Sequence, residues 1–437
     1  MCLQAGRGGS SEIPVPDARS PLSPWPAPRG STRSYHAMVK PTGSICNLDC
    51  TYCYYLHKKE LLGSTNKFRI SDEILETHIR QYIEGQDRSE VVFSCQGGEP
   101  TLLGIEFFQK VIALEQKYKK PGQLIENDLQ TNGTLLNDDC GAFLKKHNFL
   151  VGLSIDGPKE LHDRYRVAKD GAPTLTKVFA AAEMLHRHDV PFNSLDRRQS
   201  RKRQTAVRGV QVPAQRSSAA ANAVHSVRRA ESIPDTAPQK WDPDSLPLQD
   251  SSAARPGTPD SVVTDWSVDP ENWGDFLSKG WDYWYQRDIG KVFVNHFENA
   301  VSMWVGKGAQ MCVYHQFCGK GVALEHDGNL YVCDHDVYPE YKLGNILEVS
   351  SSRMVFSEQQ RKFEFDKSRS LPRQCRECQF LFACNGECPK NRLIRTHDGE
   401  PGLNYLCSGL QNFWGHIDND VRDICLRLAE GKPLYRA

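Results

Sequence analysis

The sequence lacks the features of a membrane or exported protein. No apolar run reaches about 18 residues, so we expect no helix that spans a membrane. The first residues, M-C-L-Q-A-G-R-G-G-S-S, lack the apolar stretch of a signal peptide. An excess of either charge is also missing, because 54 Lys and Arg balance 54 Asp and Glu. That balance argues against nucleic acid or a membrane surface as a partner, and we expect a cytoplasmic protein.

A disulfide framework is not expected in such a chain, although it contains 15 cysteines. The cysteines are clustered, which a packing role would not require. Three lie in residues 46–53, three in 312–333 and five in 375–407. The pattern predicts metal binding.

The length of 437 residues suggests two or three domains. Residues 1–34 are rich in Pro, Ser, Gly and Arg, and we expect a disordered tail there. From 35 to 194 apolar runs alternate with amphipathic stretches, and a helix capped by Ser71 follows the first run. Such strand–helix units predict an α/β fold with a parallel sheet whose C-terminal loops carry the chemistry. The predicted strands are 36–40, 91–94, 125–133, 150–157 and 190–195.

The pattern breaks over residues 195–260. No aromatic residue occurs between Phe192 and Trp241, and residues 197–230 contain eight Arg and one Lys without any Asp or Glu. The segment is open to three interpretations: an arginine-rich insert that touches nucleic acid, a solvated linker, or two compensating frameshifts. We favour the frameshifts, and we expect a segment of low order where two further barrel strands belong.

Order returns in the last part of the chain. Aromatic residues at helical spacing around Trp273 and Trp281 predict linking helices over 261–309 with an apolar core. Residues 310–410 are rich in Cys and Gly and show little periodicity, so we expect metals to organise them. We expect a C-terminal helix over 411–437.

The first cysteine group, C-N-L-D-C-T-Y-C, contains Cys46, Cys50 and Cys53. Three thiolates are one short of a closed zinc site, whereas a four-iron cluster bound by three thiolates keeps one iron open. A zinc knuckle completed by a distant His or Cys is the alternative. The spacing, with aromatic Tyr52 before the last Cys, resembles the radical S-adenosylmethionine enzymes. The resemblance implies a partial (β/α)6 barrel and an open iron that binds S-adenosyl-L-methionine and yields a 5′-deoxyadenosyl radical.

Two further loops carry residues that this resemblance assigns to the cofactor. Q-G-G-E-P (96–100) resembles the family motif for the methionine amino group, which implies contacts from Gly98 and Glu99. S-I-D-G-P (154–158) and the following helix imply that Ser154 and Arg166 contact the carboxylate and ribose. The alternatives are a tight turn for the first loop, and a helix cap and a surface ion pair for the second.

The C-terminal cysteines resemble the SPASM domain, which holds two auxiliary four-iron clusters. Eight cysteines are the number that two fully ligated clusters require, although two zinc sites would also use eight. Together with the first loop, the resemblance implies three four-iron (4Fe–4S) clusters. The first auxiliary cluster is assigned to Cys312, Cys318, Cys333 and Cys388, and the second to Cys375, Cys378, Cys384 and Cys407.

Two longer stretches, M-V-K-P-T-G-S-I-C-N-L-D-C-T-Y-C-Y-Y-L and Y-V-C-D-H, resemble the anaerobic sulfatase-maturating enzymes. The resemblance covers 36–194 and 260–430. It implies oxidation of a Cys or Ser of a sulfatase to Cα-formylglycine, with Asp334 as the base and Gln96 positioning the substrate. The expected partners are an unfolded or nascent sulfatase polypeptide and an electron donor such as flavodoxin or ferredoxin.

Three alternatives to a working sulfatase maturase stay open on the sequence. Another SPASM peptide maturase would form, for example, thioether links. The altered segment 195–260 would make the chain a catalytically impaired homologue. A protein that binds zinc or nucleic acid would use the cysteines or the basic stretch without any catalysis.

Overall fold

A central parallel sheet organises the N-terminal half of the molecule. The computed structural model describes residues 34–53, 55, 58, 61, 69–194, 197–198, 242–265, 267–432 and 434. Within them, nine strands form one sheet in the order β6-β5-β4-β3-β2-β1-β7-β8-β9. The strands are β1 His36–Lys40, β2 Glu90–Cys95, β3 Leu124–Thr131, β4 Phe149–Leu153, β5 Phe192–Ser194, β6 Arg197–Arg198, β7 Gly321–Glu325, β8 Asn329–Tyr331 and β9 Lys342–Asn345.

The predicted α/β fold is confirmed, and each of the five predicted strands is present. Strands β1 to β5 pair in parallel in chain order. Among the described residues, the far side of β5 carries only the two-residue antiparallel β6. The sixth parallel strand of the sheet is β7, which pairs with all five residues of β1. It comes from the cysteine-rich part of the chain, and β8 and β9 continue the sheet beyond it.

The helices of this half cover the sheet as their apolar periodicity predicts. In the helix Asp72–Glu84 the Ser71 hydroxyl accepts from the Ile74 N–H, and two acidic residues occupy the first turn. Its buried face holds the residues that the 3.6-residue period selects. These are Ile74, Leu75, His78, Ile79, Tyr82 and Ile83. The other helices here are Ile105–Tyr118, Asp138–Lys146, Lys159–Tyr165 and Leu175–Arg187.

A second core lies in the C-terminal half and is built on aromatic side chains. Trp281 and Trp414 are fully buried there, and Trp273, as predicted, faces inward. The helices are Pro270–Tyr283, Asn295–Trp304, Ser351–Val355, Glu358–Arg369, Arg373–Arg376, Leu381–Cys384 and Cys407–Ala429, with a π-helical turn at Trp284–Asp288 and a short hairpin, Ile394–Arg395 and Pro401–Leu403. In the described part of the chain, no helix has the length and apolar character needed to cross a membrane.

The expectation of low order over 195–260 is wrong for its C-terminal end. Leu246 and Ala254 are buried in the aromatic core, and Gln249 donates from its N–H to the Arg395 carbonyl at 2.9 Å. Arg255 forms an ion pair with Glu271. Although this stretch is polar, its few apolar residues suffice to anchor it. Residues 195–196 and 199–241 lie outside the described residues, as do 1–33, so the predictions for them stay predictions.

Candidate active site

The first cysteine loop follows the C-terminal end of β1. Cys46, Cys50 and Cys53 are free and partly buried. Burial raises the pKa of the Cys50 thiol to about 12, the Arg166 guanidinium opposes that rise, and the thiols of Cys53 and Cys46 add to it. Thiols in such surroundings become thiolates only when a cationic centre binds them. The three side chains therefore fit the ligand set of a metal cluster.

Gly98 and Glu99 hold the second loop against the first. The Gly98 N–H donates to the Gly43 carbonyl and the Glu99 N–H to the Ile45 carbonyl, both at 2.8 Å. A side chain at position 98 would overlap the backbone of Ile45, so only glycine permits this approach. The conserved spacing of the two loops is thus enforced by backbone contacts.

The Glu99 carboxylate is fully buried and accepts hydrogen bonds from protein groups on both oxygens. Oε1 accepts from the Thr101 and Thr131 hydroxyls at 2.6 and 2.7 Å, and Oε2 accepts from the Asn132 N–H at 2.8 Å. Burial raises the pKa of Glu99, and these hydrogen bonds oppose the rise. The side chain thereby ties the loop after β2 to the end of β3. This structural role competes with the predicted contact to an ammonium group, which stays a prediction.

Tyr52, Asp156 and Arg166 form a buried polar group next to the cysteine loop. The Asp156 carboxylate accepts from the Tyr52 hydroxyl and, at 2.7 Å, from Nε of Arg166. Burial alone would lower the pKa of Arg166, but Tyr52 and Asp156 raise it. The sequence analysis named Tyr52 and Arg166 but missed Asp156. Its signal was its place in S-I-D-G, directly after a predicted strand.

Ser154 and Gln96, the other two residues assigned to cofactor or substrate, also lie at the C-terminal ends of strands. The Ser154 hydroxyl is buried and accepts from Nε2 of Gln130 at 3.0 Å. The Gln96 N–H donates to the Val39 carbonyl at 3.0 Å, which sets this residue beside the end of β1. Both residues therefore share the edge of the sheet that carries the cysteine loop.

Four of the C-terminal cysteines line one cavity. They are Cys375, Cys378, Cys384 and Cys407. Burial raises the pKa of the Cys384 thiol to about 12, and that of Cys407 also rises. In the described residues no three His, Cys, Asp or Glu side chains converge as ligands of one metal ion do. Thiolates around a four-iron cluster lie further apart, because each binds a different iron atom.

The other four assigned cysteines lie beside two buried cations. Lys367 is fully buried, and its Nζ donates to the carbonyls of Cys312 and Val313 at 3.1 and 2.8 Å. Burial lowers the pKa of Arg392, while thiols of both assigned sets, Cys375 and Cys384 in one and Cys388 and Cys318 in the other, raise it. A buried cation needs a compensating negative charge. Anionic clusters in both sets would supply it, so the residues present fit the groups that the resemblance implies.

Asp334, the predicted base, is buried next to the end of β1. Its carboxylate pairs with the ammonium of Lys40, the last residue of that strand. The Lys40 Nζ also lies 3.8 Å from the centroid of the Tyr55 ring, and the Tyr55 hydroxyl donates to Glu325. Lys40 was missed, although it stands in the quoted stretch M-V-K-P-T-G. A buried strand position is usually apolar, so a lysine there was the available signal.

Lys58 and Asp336 extend this buried charge cluster. Lys58 is 3 % exposed, and its Nζ lies 3.1 Å from the centroid of the Tyr338 ring. Burial lowers the pKa of Lys58 to about 7, while Asp336, Asp334 and Glu325 oppose that change. Burial raises the pKa of Asp336 to about 6, and Lys58 opposes the rise. The cluster joins the cysteine loop to the loop that carries Cys333.

Comparison with known proteins bears on this arrangement. The model of the Radical SAM superfamily matches residues 41–196, and that of SPASM, an iron–sulfur cluster-binding domain, matches 316–379. The serine-type anaerobic sulfatase-maturating enzyme of Bacteroides thetaiotaomicron is 40% identical over 382 residues, which cover 87% of this chain and 89% of that protein. The chain belongs to the anaerobic sulfatase-maturating enzymes. This maturase family was the one predicted, and the prediction of a radical S-adenosylmethionine oxidoreductase is confirmed.

Other relatives and a solved structure agree with the assignment to this maturase family. The serine-type enzyme of Klebsiella aerogenes is 33% identical, covering 97% of this chain and 93% of that protein. The cysteine-type enzyme of Clostridium perfringens is 30% identical, covering 86% and 94%. The structure of native anSMEcpe with bound AdoMet and Cp18Cys peptide has a TM-score of 0.69 at 27% identity, covering 90% of this chain and 99% of that chain. The family assignment sets aside the zinc-binding and nucleic-acid-binding alternatives.

Proposed function

We propose that this maturase oxidises a Cys or Ser of a sulfatase polypeptide to Cα-formylglycine, using S-adenosylmethionine and three four-iron clusters. The observation that carries the proposal is the buried ion pair between Lys40 and Asp334. It joins the end of β1, from which the cysteine loop starts, to the residue that follows Cys333. A base at this junction would lie between the radical source and an electron acceptor.

Each part of the site has a role in this proposal. When bound, S-adenosylmethionine and the clusters supply the 5′-deoxyadenosyl radical, which takes one hydrogen atom from Cβ of the target residue, and the acceptor for the second electron. Asp334 takes the thiol or hydroxyl proton, and Lys40 is its counter-ion. Loss of one hydrogen atom, one proton and one electron together accounts for the two-electron oxidation. Cys46, Cys50 and Cys53 would hold the cluster that binds S-adenosylmethionine, with Tyr52, Ser154 and Arg166 around it.

The substrate and redox partner follow from the same chemistry. The substrate residue must reach a buried carboxylate, so an unfolded or nascent sulfatase segment is expected rather than a folded one. An electron donor such as flavodoxin or ferredoxin would reduce the clusters, and the cytoplasm is the compartment that we propose. The serine-type relatives share 40% and 33% of their residues with this chain and a cysteine-type relative shares 30%. We therefore expect a Ser-type peptide to be accepted.

Anaerobic reconstitution followed by incubation with Ser-type and Cys-type sulfatase peptides tests the proposal. We expect about 12 iron atoms per chain and a peptide mass that corresponds to an aldehyde at the target residue. Replacing Cys46, Cys50 and Cys53 together by Ala should remove about a third of the iron and all cleavage of S-adenosylmethionine. Cleavage of S-adenosylmethionine without oxidation of either peptide would contradict the proposed substrate, and a thioether product would favour the other class of peptide maturase.

A further inference from the structure

Trp414 has a buried indole N–H that lacks a hydrogen-bond acceptor among the described residues. The side chain is fully buried in the helix Cys407–Ala429, and its Nε1 has no partner there. Three other tryptophans of the same core do have acceptors. Trp281 donates to Asp420 at 3.0 Å, Trp284 to the Val292 carbonyl at 2.7 Å and Trp304 to Asp418 at 2.8 Å. An unmet buried donor costs about 1–3 kcal/mol, so an acceptor outside the polypeptide is expected.

The position of Trp414 identifies the acceptor. Its side chain lines the cavity that Cys375, Cys378, Cys384 and Cys407 share. Trp414 lies seven residues after Cys407 in one helix, which returns it to the helix face of that cysteine. Gln411, at the intermediate position, donates from Nε2 to Sγ of Cys378 at 3.8 Å. One helix face thus carries a predicted ligand and two N–H donors.

We propose that the indole N–H of Trp414 donates a hydrogen bond to a sulfur atom of the four-iron cluster held by Cys375, Cys378, Cys384 and Cys407, and thereby raises the reduction potential of that cluster. The inference rests on the ligand set in the proposed function. Adding one electron to the cluster increases the negative charge on its sulfur atoms, which makes them better acceptors. A donor fixed by packing therefore stabilises the reduced form more than the oxidised form.

Replacement of Trp414 by Phe tests the effect on potential. The ring stays and the N–H is lost. Trp304→Phe is the matched control, because Trp304 packs 5.7 Å from Trp414 between ring centroids but donates to Asp418. In potentiometric titrations of the reconstituted holoenzyme followed by electron paramagnetic resonance, one cluster couple should shift to a more negative potential in Trp414→Phe and stay in place in Trp304→Phe. An unchanged potential in Trp414→Phe, at full iron content, would overturn the proposal.

A second measurement does not depend on the folding of the Trp414 variant. Holoenzyme labelled with ¹⁵N in the indole rings should show a ¹⁵N coupling to a reduced cluster in pulsed electron paramagnetic resonance. The coupling should persist in labelled Trp304→Phe, and its absence from both proteins would refute the hydrogen bond. Iron content and peptide oxidation are measured on the same samples. Full iron and normal oxidation without the coupling reject this inference alone, whereas missing iron rejects the cluster assignment of the proposed function.

Discussion

Asp334 is the residue whose substitution separates radical formation from substrate oxidation. Asp334→Asn keeps the volume of the side chain and removes the base. We expect cleavage of S-adenosylmethionine to continue, while formylglycine formation falls by roughly 10²-fold or more, because a positioned base contributes that much. Both products can be measured in one anaerobic assay by mass spectrometry.

Asp336→Asn is the matched control for this prediction. It removes a carboxylate from the same buried loop and leaves the ion pair between Lys40 and Asp334 in place. We expect a smaller loss of peptide oxidation than in Asp334→Asn. If Asp334→Asn lowers both activities equally, Asp334 has a structural role beside Cys333 and is not the base.

Lys58 is a buried ammonium that the folded state tolerates at a cost in stability. Its Nζ has no hydrogen-bond acceptor among the described residues, and burial lowers its pKa to about 7. Lys58→Met keeps the length of the side chain and removes the charge. We expect the free energy of unfolding at pH 7 to rise by about 1–4 kcal/mol, as when other buried ionic groups are replaced by apolar ones. Peptide oxidation should fall, because Asp334 and Asp336 lose a nearby positive charge.

The pH dependence of this gain has a definite sign. Between pH 7 and about pH 10.4 the unfolded wild-type chain holds a proton on Lys58 that the folded chain has released, so wild-type stability rises with pH. The advantage of Lys58→Met should therefore shrink across that window and stay constant below it. Anaerobic urea unfolding at several pH values measures it. An advantage that grows with pH would contradict the assigned burial of the ammonium.

Single residues also show where sequence reasoning reaches its limit. The spacing of Cys46, Cys50 and Cys53 is local, so a loop and its ligand set can be predicted from it. Asp156 was missed because its partners, Tyr52 and Arg166, are distant in sequence or separated by a helix, and only the fold joins them. The Glu99 carboxylate was assigned to a ligand because its four protein donors are not visible in the motif.

At the scale of elements, two glycines set the distance between the helices Pro270–Tyr283 and Cys407–Ala429. A side chain on Gly409 would overlap the Pro270 carbonyl, and one on Gly274 would overlap the backbone of Gly409. We expect Gly409→Ala to lower the free energy of unfolding by about 1–3 kcal/mol, because the helices must move apart. Because Cys407 begins the second helix, some iron of the second auxiliary cluster should be lost as well.

Gly415→Ala is the control in the same helix. This glycine is exposed, and the nearest atom to an added Cβ is 3.9 Å away on Phe380. Alanine there should stabilise the helix by about 0.5–1 kcal/mol. Thermal unfolding and iron content of the two variants give the comparison. Equal stability of both variants would contradict the close crossing at Gly409.

The sheet shows which properties of elements the sequence predicts. The existence of β1 to β5 followed from apolar runs separated by helical periods, and their order followed from the rule that successive strand–helix units lie side by side. The place of β7 did not follow. Its apolar residues Val322, Ala323 and Leu324 predict a strand, but they do not say which of two sheet edges accepts it.

At the scale of the whole molecule, buried histidines make stability depend on pH. Burial lowers the pKa of His78, His162 and His296 to about 4 in each case. The unfolded chain binds these protons near pH 6.5, so stability is lost as pH falls from about 6.5 towards 4. For His78 alone the loss between pH 7 and pH 5 is about 2 kcal/mol.

His78→Phe isolates this effect from acid loss of the clusters, which both proteins share. The side chain stacks on Tyr82 and meets the edge of Phe93, so a phenyl ring keeps the packing. Chemical unfolding at pH 7 and pH 5 should show a smaller loss of stability in the variant by about 2 kcal/mol. The same loss in both proteins would show that His78 is protonated in the folded state.

The pairing of β1 with β7 also bears on how the chain is made. The His36 partner in β7 is Gly321, which is 285 residues further along the chain. At synthesis rates of about 5–20 residues per second, roughly 15 to 60 s pass between the emergence of the two strands from the ribosome. During that time one edge of β1 has no neighbour and can pair with other chains. Heterologous production should therefore depend strongly on temperature and on chaperones that bind nascent chains, and the yield of folded protein should respond to both before any cluster is inserted.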